Sequence, residues 1–116
     1  MKIREFILGD LKIMGAWLEQ DYIRNFWGDP QDWIKEISEN ISADWVKYFI
    51  VEYNTPIGFL QYYETDKAPQ GEWSDEPIGT VGIDYLIGEK EYLGKGYGSK
   101  IVHLLVELIK SKKEYD

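Results

Sequence analysis

Three glycines within five residues, Gly94, Gly96 and Gly98, stand between a β-rich run and a long apolar helix pattern. Glycine gives up more conformational freedom on folding than any other residue, so such a cluster marks backbone that must turn tightly or be approached closely. Thr80 to Ile87 reads as a mostly apolar strand of the kind covered on both faces. Ile101, Leu104, Leu105, Leu108 and Ile109 recur at helical spacing. A strand, a glycine loop and a helix start together make an anion cradle. The first amides of a helix lack partners, the helix dipole adds positive potential, and glycines let a ligand come close. Lys95 and Lys100 add mobile charge. The ligand this arrangement expects is a phosphate or pyrophosphate. On glycines alone, a purely structural turn is the alternative. Gly98-Ser99-Lys100 has the wrong order for a Walker A loop. A dinucleotide-binding fingerprint is excluded too, because it stands early in its fold and needs a further strand and acid, whereas 18 residues follow Gly98.

The remaining elements follow from periodicity and punctuation. Ile3 to Leu8 is a short strand candidate, and Gly9-Asp10 a turn with a helix cap. Leu11, Met14, Trp17 and Leu18 predict a helix. Asp29-Pro30 predicts a second, with Asp as cap, Pro at the first position and Trp33, Ile34, Ile37 and Ile41 on its apolar face. Asn25-Phe26-Trp27-Gly28 is read as an unusually aromatic loop between the two. Val46 to Tyr53 and Ile57 to Glu64, joined by Asn54-Thr55-Pro56, form a hairpin. Thr65 to Gly79 is a long acidic loop. The order strand, two helices, hairpin, strand, glycine loop, helix gives an α+β layout with helices packed on a sheet. At 116 residues the chain holds one domain, 1–116.

Composition narrows the chemistry. With no cysteine there are no disulfides, thiolate metal sites or Cys nucleophile, and His103 alone supports neither a multi-histidine metal site nor a Ser-His-Asp arrangement. His103 is read as a packing or half-exposed helix residue. A net charge of −8 argues against nucleic acid and favours a cationic partner, although many soluble proteins are as acidic. Aromatics reach 16%, more than a core of this size needs, which points to rings lining a surface or pocket. Neither a signal peptide nor a membrane-spanning run is seen, so the expected location is the cytoplasm.

Leu93-Gly94-Lys95-Gly96-Tyr97-Gly98 resembles motif A of the GNAT family of N-acetyltransferases, usually Arg/Gln-x-x-Gly-x-Gly/Ala, with Leu93 where Arg or Gln is usual. Across the chain, Asn25-Phe26-Trp27-Gly28, Pro56-Ile57-Gly58-Phe59-Leu60-Gln61-Tyr62-Tyr63, Gly82-Ile83-Asp84 and the glycine loop stand in the order and spacing of aminoglycoside 6′-N-acetyltransferases. The resemblance implies a partial GNAT fold, with a mixed, mostly antiparallel sheet flanked by helices. It implies acetyl-CoA as co-substrate, no metal, and transfer of the acetyl group to an amine of an aminoglycoside-like cation. Other amines, or a non-catalytic acyl-CoA-binding module, are the alternatives.

The same resemblance assigns roles. Gly94, Lys95, Gly96, Tyr97, Gly98 and Ser99 would hold the pyrophosphate, and a backbone N–H around Tyr85, Leu86 or Ile87 would receive the thioester oxygen. Asp84 would face the amine, as base or as orienting carboxylate; its alternative is a structural carboxylate bonded to backbone, Arg4 or Arg24. Gln61 and Tyr63 share one strand face and would meet the substrate, leaving Tyr62 to the core. Trp73, among Glu72, Asp75 and Glu76, would pack on a cationic sugar, with Trp27 as the opposite wall. The family domain continues with further strands after the glycine-loop helix. The resemblance therefore implies a chain lacking the C-terminal strands, with an apolar sheet edge that a homo-oligomer or swapped dimer would cover.

Overall fold

The computed structural model describes residues 1–64 and 81–113. Trp73 and the acidic loop around it lie outside the described residues. Among the described residues four strands form one antiparallel sheet in the order β1 (Lys2–Glu5), β2 (Val46–Tyr53), β3 (Thr55–Glu64) and β4 (Val81–Ile87). Helices α1 (Leu11–Leu18), α2 (Asp21–Trp27) and α3 (Pro30–Asn40) lie between β1 and β2 in sequence, and α4 (Tyr97–Lys113) follows the glycine loop. Among the described residues no helix is long and apolar enough to cross a membrane.

Strand alternation sorts the side chains into two cores. Val46, Tyr48, Ile50, Phe59 and Leu86 pack with Met14, Trp17, Leu18, Ile23 and Ile37 of α1–α3. Phe49, Val51, Leu60, Tyr62 and Ile87 pack with Ile101, Leu105 and Ile109, one i/i+4 stripe of α4. Tyr62 is thus core, as its place in the strand required. Burial on both faces belongs to β2 and β3. In β4 only Leu86 and Ile87 are buried, and Val81 to Asp84 are half-exposed. β4 is thus not covered on both faces along its length, contrary to what its apolar content suggests: that content alone does not distinguish a central strand from one at the end of the sheet.

Two further expectations change. Residues 25–27 are not loop but the last turn of α2, which Gly28 closes at φ 84°. That helix has only seven residues, too few for periodicity to reveal. Tertiary contacts hold it: Ile23 is buried, and the Tyr22 hydroxyl donates to the Ile87 carbonyl at 2.8 Å. Asp10 does not cap α1 either. Its carboxylate turns back to accept two bonds from Arg4 and one from the Ile7 amide, each at 2.9 Å. Arg4, also bound to Glu52 at 3.0 Å, outcompetes the helix because a bidentate charge-assisted pair is stronger than a cap. By contrast Asp29 caps α3 as expected, accepting from the Gln31 amide, with Pro30 at the first position.

Arg4 holds the Asp10 carboxyl below the usual carboxylate range; burial opposes the shift and the Ile7 N–H reinforces it. A lowered folded-state value means that this stabilisation is present above the ordinary carboxyl pKa and is lost as pH falls through the folded value. Asp10→Asn is expected to cost about 2–3 kcal/mol at neutral pH, because Arg4 loses a partner in a partly buried position. In urea titrations the deficit should shrink as pH falls below about 4. A deficit that is the same at pH 2.5 and pH 7 contradicts the assignment.

Candidate active site

The β3–β4 register sets Gln61 opposite Asp84 and Tyr63 opposite Gly82, on the face toward α3. Gln61 Nε2 donates to Asp84 Oδ2 at 2.9 Å. Arg4 and Arg24 are committed elsewhere, to Asp10 and Glu52 and to Glu19 respectively. The alternative of an Asp84–arginine pair is therefore set aside. Gln61 is only 5% exposed, and its Oε1 is buried with no hydrogen-bond partner among the described residues. The Tyr63 ring lies directly over Gly82: a Cβ there would fall 2.1 Å from the ring. Gly82 is what allows Tyr63 to lie flat across the strand.

Gln61, Tyr63 and Asp84 line a cavity of about 260 Å3, with Trp45, Val46 and Tyr48 from β2 and the segment before it and Asp32, Trp33 and Glu36 from α3. Three carboxylates and four aromatic rings face it among the described residues. Burial pushes the Tyr48 hydroxyl well above the usual phenol range, and the Glu36 charge adds to the shift. Tyr48 therefore stays protonated in ordinary buffers. Trp27 is not among the lining residues. It stands behind Trp33, ring centroids 4.6 Å apart, and its carbonyl accepts the Trp33 indole N–H. The sequence reading did not single out Asp32, Trp33, Glu36, Trp45 or Tyr48 for this wall. The signal available was the i,i+4 pair Asp32/Glu36 beside an aromatic, on a helix otherwise read for its apolar stripe.

A second groove, about 300 Å3, opens beside the first between α2 and the end of β4. Tyr22, Ile23, Phe26, Trp27, Tyr85, Leu86, Ile87 and Leu93 line it. Phe26 is 89% exposed on its rim. Trp27 thus meets Tyr85, Leu86 and Ile87 here rather than the carboxylates. In an antiparallel ladder the N–H and C=O of one residue point the same way and alternate along the strand. The Gly88 amide reaches Ile57 O in β3, and Ile87 O is taken from outside by Tyr22. The backbone groups of Tyr85 and Ile87 therefore point to the outer edge of β4, and those of Leu86 point inward. Of the three expected donors, Tyr85 and Ile87 have the right direction and Leu86 contributes its buried side chain.

The glycine loop links this groove to α4. Gly94 and Gly96 have φ of 71° and 80°, and Lys95 between them has the ordinary sign. Alternating hands along a backbone turn successive N–H groups toward one side, the geometry of an anion nest. Among the described residues the loop's hydrogen bonds stop at the Leu93 amide, which reaches Lys90 O; no partner is found for the amides of Gly94, Lys95 or Gly96. A Cβ at Gly94 or Gly96 would meet nothing within 4 Å. Gly98 is different: a Cβ there would lie 2.7 Å from the Tyr85 hydroxyl, so its role includes admitting that side chain. Ser99 and Lys100 are exposed in the first turn of α4, and Lys100 stands over the Tyr97 ring. His103 is exposed on the same helix, not packed.

A nest at a helix start, an apolar groove and an acidic aromatic cavity meeting on one strand define an acyl-transferase-like arrangement. A family model described as an acetyltransferase (GNAT) domain matches residues 7–115. The chain belongs to the GNAT acetyltransferase family. It is 32% identical to the aminoglycoside N(6′)-acetyltransferase type 1 of Klebsiella pneumoniae, over 86% of this chain and 54% of the relative; the Serratia marcescens protein of that name gives the same figures. The chain thus spans about half the length of the curated relatives it matches. Its fold superposes on a crystal structure of aminoglycoside acetyltransferase AAC(6′)-Ib with coenzyme A at a TM-score of 0.82 and 32% identity, covering 95% of this chain and 67% of that one. The same enzyme with coenzyme A and kanamycin gives 0.83 and 31%, covering 95% and 67%.

Proposed function

We propose that this chain carries the acetyl-CoA site and the amine site of an aminoglycoside-type N-acetyltransferase, acting in the cytoplasm as a single domain over 1–116. The observation that carries the reading is the meeting of the two sites on consecutive residues of β4. Asp84 opens on the acidic cavity, and the Tyr85 backbone faces the groove that runs to the glycine nest. The nest fits a diphosphate because its amides lack partners and the glycines leave room for close approach. Acetyl-CoA would supply the activated acetyl group as a thioester. Gly94 to Ser99 bind its diphosphate through backbone N–H groups, aided by Lys95. Tyr22, Phe26 and Trp27 shield the groove from water, and the outward amides of Tyr85 and Ile87 receive developing oxyanion charge. Asp84, held by Gln61, accepts a proton from the incoming ammonium or fixes its orientation. Tyr63, Trp33 and Trp45 pack against the sugar ring; Trp27 supports Trp33 from behind.

Titration calorimetry with CoA and an acetylation assay with kanamycin test the reading together. Binding with turnover is expected. Binding without turnover reduces the chain to an acyl-CoA-binding module, and no binding at millimolar CoA removes both.

Gly96→Val should weaken CoA by about 10–100-fold. A β-branched residue does not hold φ 80°, and the peptide flip that relieves it turns an amide out of the nest. Gly96→Asn, which tolerates that backbone hand, should retain most of the affinity. Equal affinity for both variants would contradict the nest.

A further inference from the structure

The nest has to hold an unusual shape, with Gly94 and Gly96 both at positive φ. Glycine backbone samples many other shapes, so a ligand that had to order the loop itself would bind more weakly. Internal backbone bonds do not hold it. Among the described residues the amides of Gly94, Lys95 and Gly96 have no backbone acceptor. The constraint lies at the two ends of the loop. Tyr92 immediately precedes Leu93–Gly96 and Tyr97 immediately follows it. Their rings meet edge to face, centroids 5.2 Å apart and planes at 72°. Tyr53, at the end of β2, packs against both, at 6.0 Å from each. These are the separations at which aromatic pairs attract beyond their buried area. The ring contact closes the base of a four-residue loop, and the β2–β3 hairpin backs it.

The stem before the loop is fixed as well. The Tyr92 amide donates to Glu89 O at 3.0 Å, and the Glu89 carboxylate accepts the Trp17 indole N–H at 2.7 Å. The loop is thus tied to α1 on one side and to α4 on the other. Tyr97 has a second contact, because Lys100 Nζ stands 5.3 Å from its ring centroid. Tyr92 is the cleaner probe: it lines neither the apolar groove nor the acidic cavity, so what it does to a ligand it does through the loop.

We propose that Tyr92, Tyr97 and Tyr53 form an aromatic clasp that pre-sets the nest for the diphosphate of CoA, with Tyr92 a positioning residue. Resting on the proposed acetyl-CoA site, the inference adds the side chains that hold that site in its binding shape before the ligand arrives.

The test uses the full chain, 15N relaxation of the ligand-free protein and calorimetric titration with CoA. In the wild type the amides of Gly94, Lys95 and Gly96 should be as ordered as those of the sheet, with order parameters of about 0.85. Tyr92→Ala should drop them toward about 0.6 or below and weaken CoA about three- to tenfold. Tyr92→Phe keeps the ring and should retain both the order and, within about twofold, the affinity. A thermal melt checks that each variant folds. Tyr53→Ala, at a position 42% exposed, reads the same clasp in the same direction and serves if Tyr92→Ala does not fold. Unchanged CoA affinity in the folded alanine variants overturns the clasp and leaves the nest standing. Loop amides already mobile in the wild type do the same, as does a loss in Tyr92→Phe equal to that in Tyr92→Ala. No saturable binding of CoA by the wild type at millimolar concentration overturns the acetyl-CoA site itself, and the clasp with it.

Discussion

Asp84→Asn is expected to lower the acetylation rate by about 10²–10⁴-fold, the usual contribution of a positioned proton acceptor, while changing the unfolding free energy by less than about 1 kcal/mol. The asymmetry follows from the contacts. Asp84 is half-buried on β4, and its bond is from Gln61 Nε2 at 2.9 Å. An asparagine keeps an oxygen that can accept that bond, so the folded state loses little. What it cannot do is take a proton from an ammonium group or carry the charge that orients one. The two roles separate in the kinetics. A proton acceptor lost lowers kcat with KM little changed, whereas an orienting charge lost raises KM. A parallel fall in rate and stability would return Asp84 to a structural role.

The largest expected loss of stability lies at Gly58. On β3 it stands against β4 so closely that a Cβ would lie 2.5 Å from the Leu86 carbonyl oxygen and 3.5 Å from the Ile87 Cα. Both neighbours are backbone, so no side-chain rotation relieves the clash. Relief requires β3 and β4 to part where the groove lining begins. Gly58→Ala is expected to cost about 3 kcal/mol and lower the melting midpoint by on the order of 10 °C. Gly9→Ala is the control: its Cβ would meet Ile7 at an ordinary 3.8 Å, and a change within about 0.5 kcal/mol is expected. Equal effects would mean that the close approach of β3 and β4 is not maintained in solution.

The hairpin, α3 with its Asp29 cap, and the α4 stripe were legible because each follows from a local rule: a turn signal, a cap, a 3.6-residue period. The same-face placement of Gln61 and Tyr63, with Tyr62 opposite, followed from strand alternation alone. What was not legible depended on partners distant in sequence. Helix α2 is held by Tyr22 against Ile87 and by Ile23 in the core, 65 residues separating the first pair. Asp10 looks like a cap until Arg4 is folded beside it. Trp27 looks like a wall until Trp33 is seen in front. The Asp32/Glu36 face could not be paired with Gln61 before the packing of α3 over the sheet was known. Gly98 was read with its neighbours as ligand-binding, and only the Tyr85 hydroxyl reveals its second constraint.

Acetyl-CoA binding by this chain requires the glycine loop to be a binding surface and not merely a turn. Amide chemical-shift mapping of 15N-labelled protein titrated with CoA tests this directly. The amides of Gly94, Lys95, Gly96, Tyr97 and Gly98 are expected to shift first and furthest, with Tyr85 and Ile87 following along the groove. Saturable binding that leaves those amides unmoved, or no saturable binding at millimolar CoA, would contradict it.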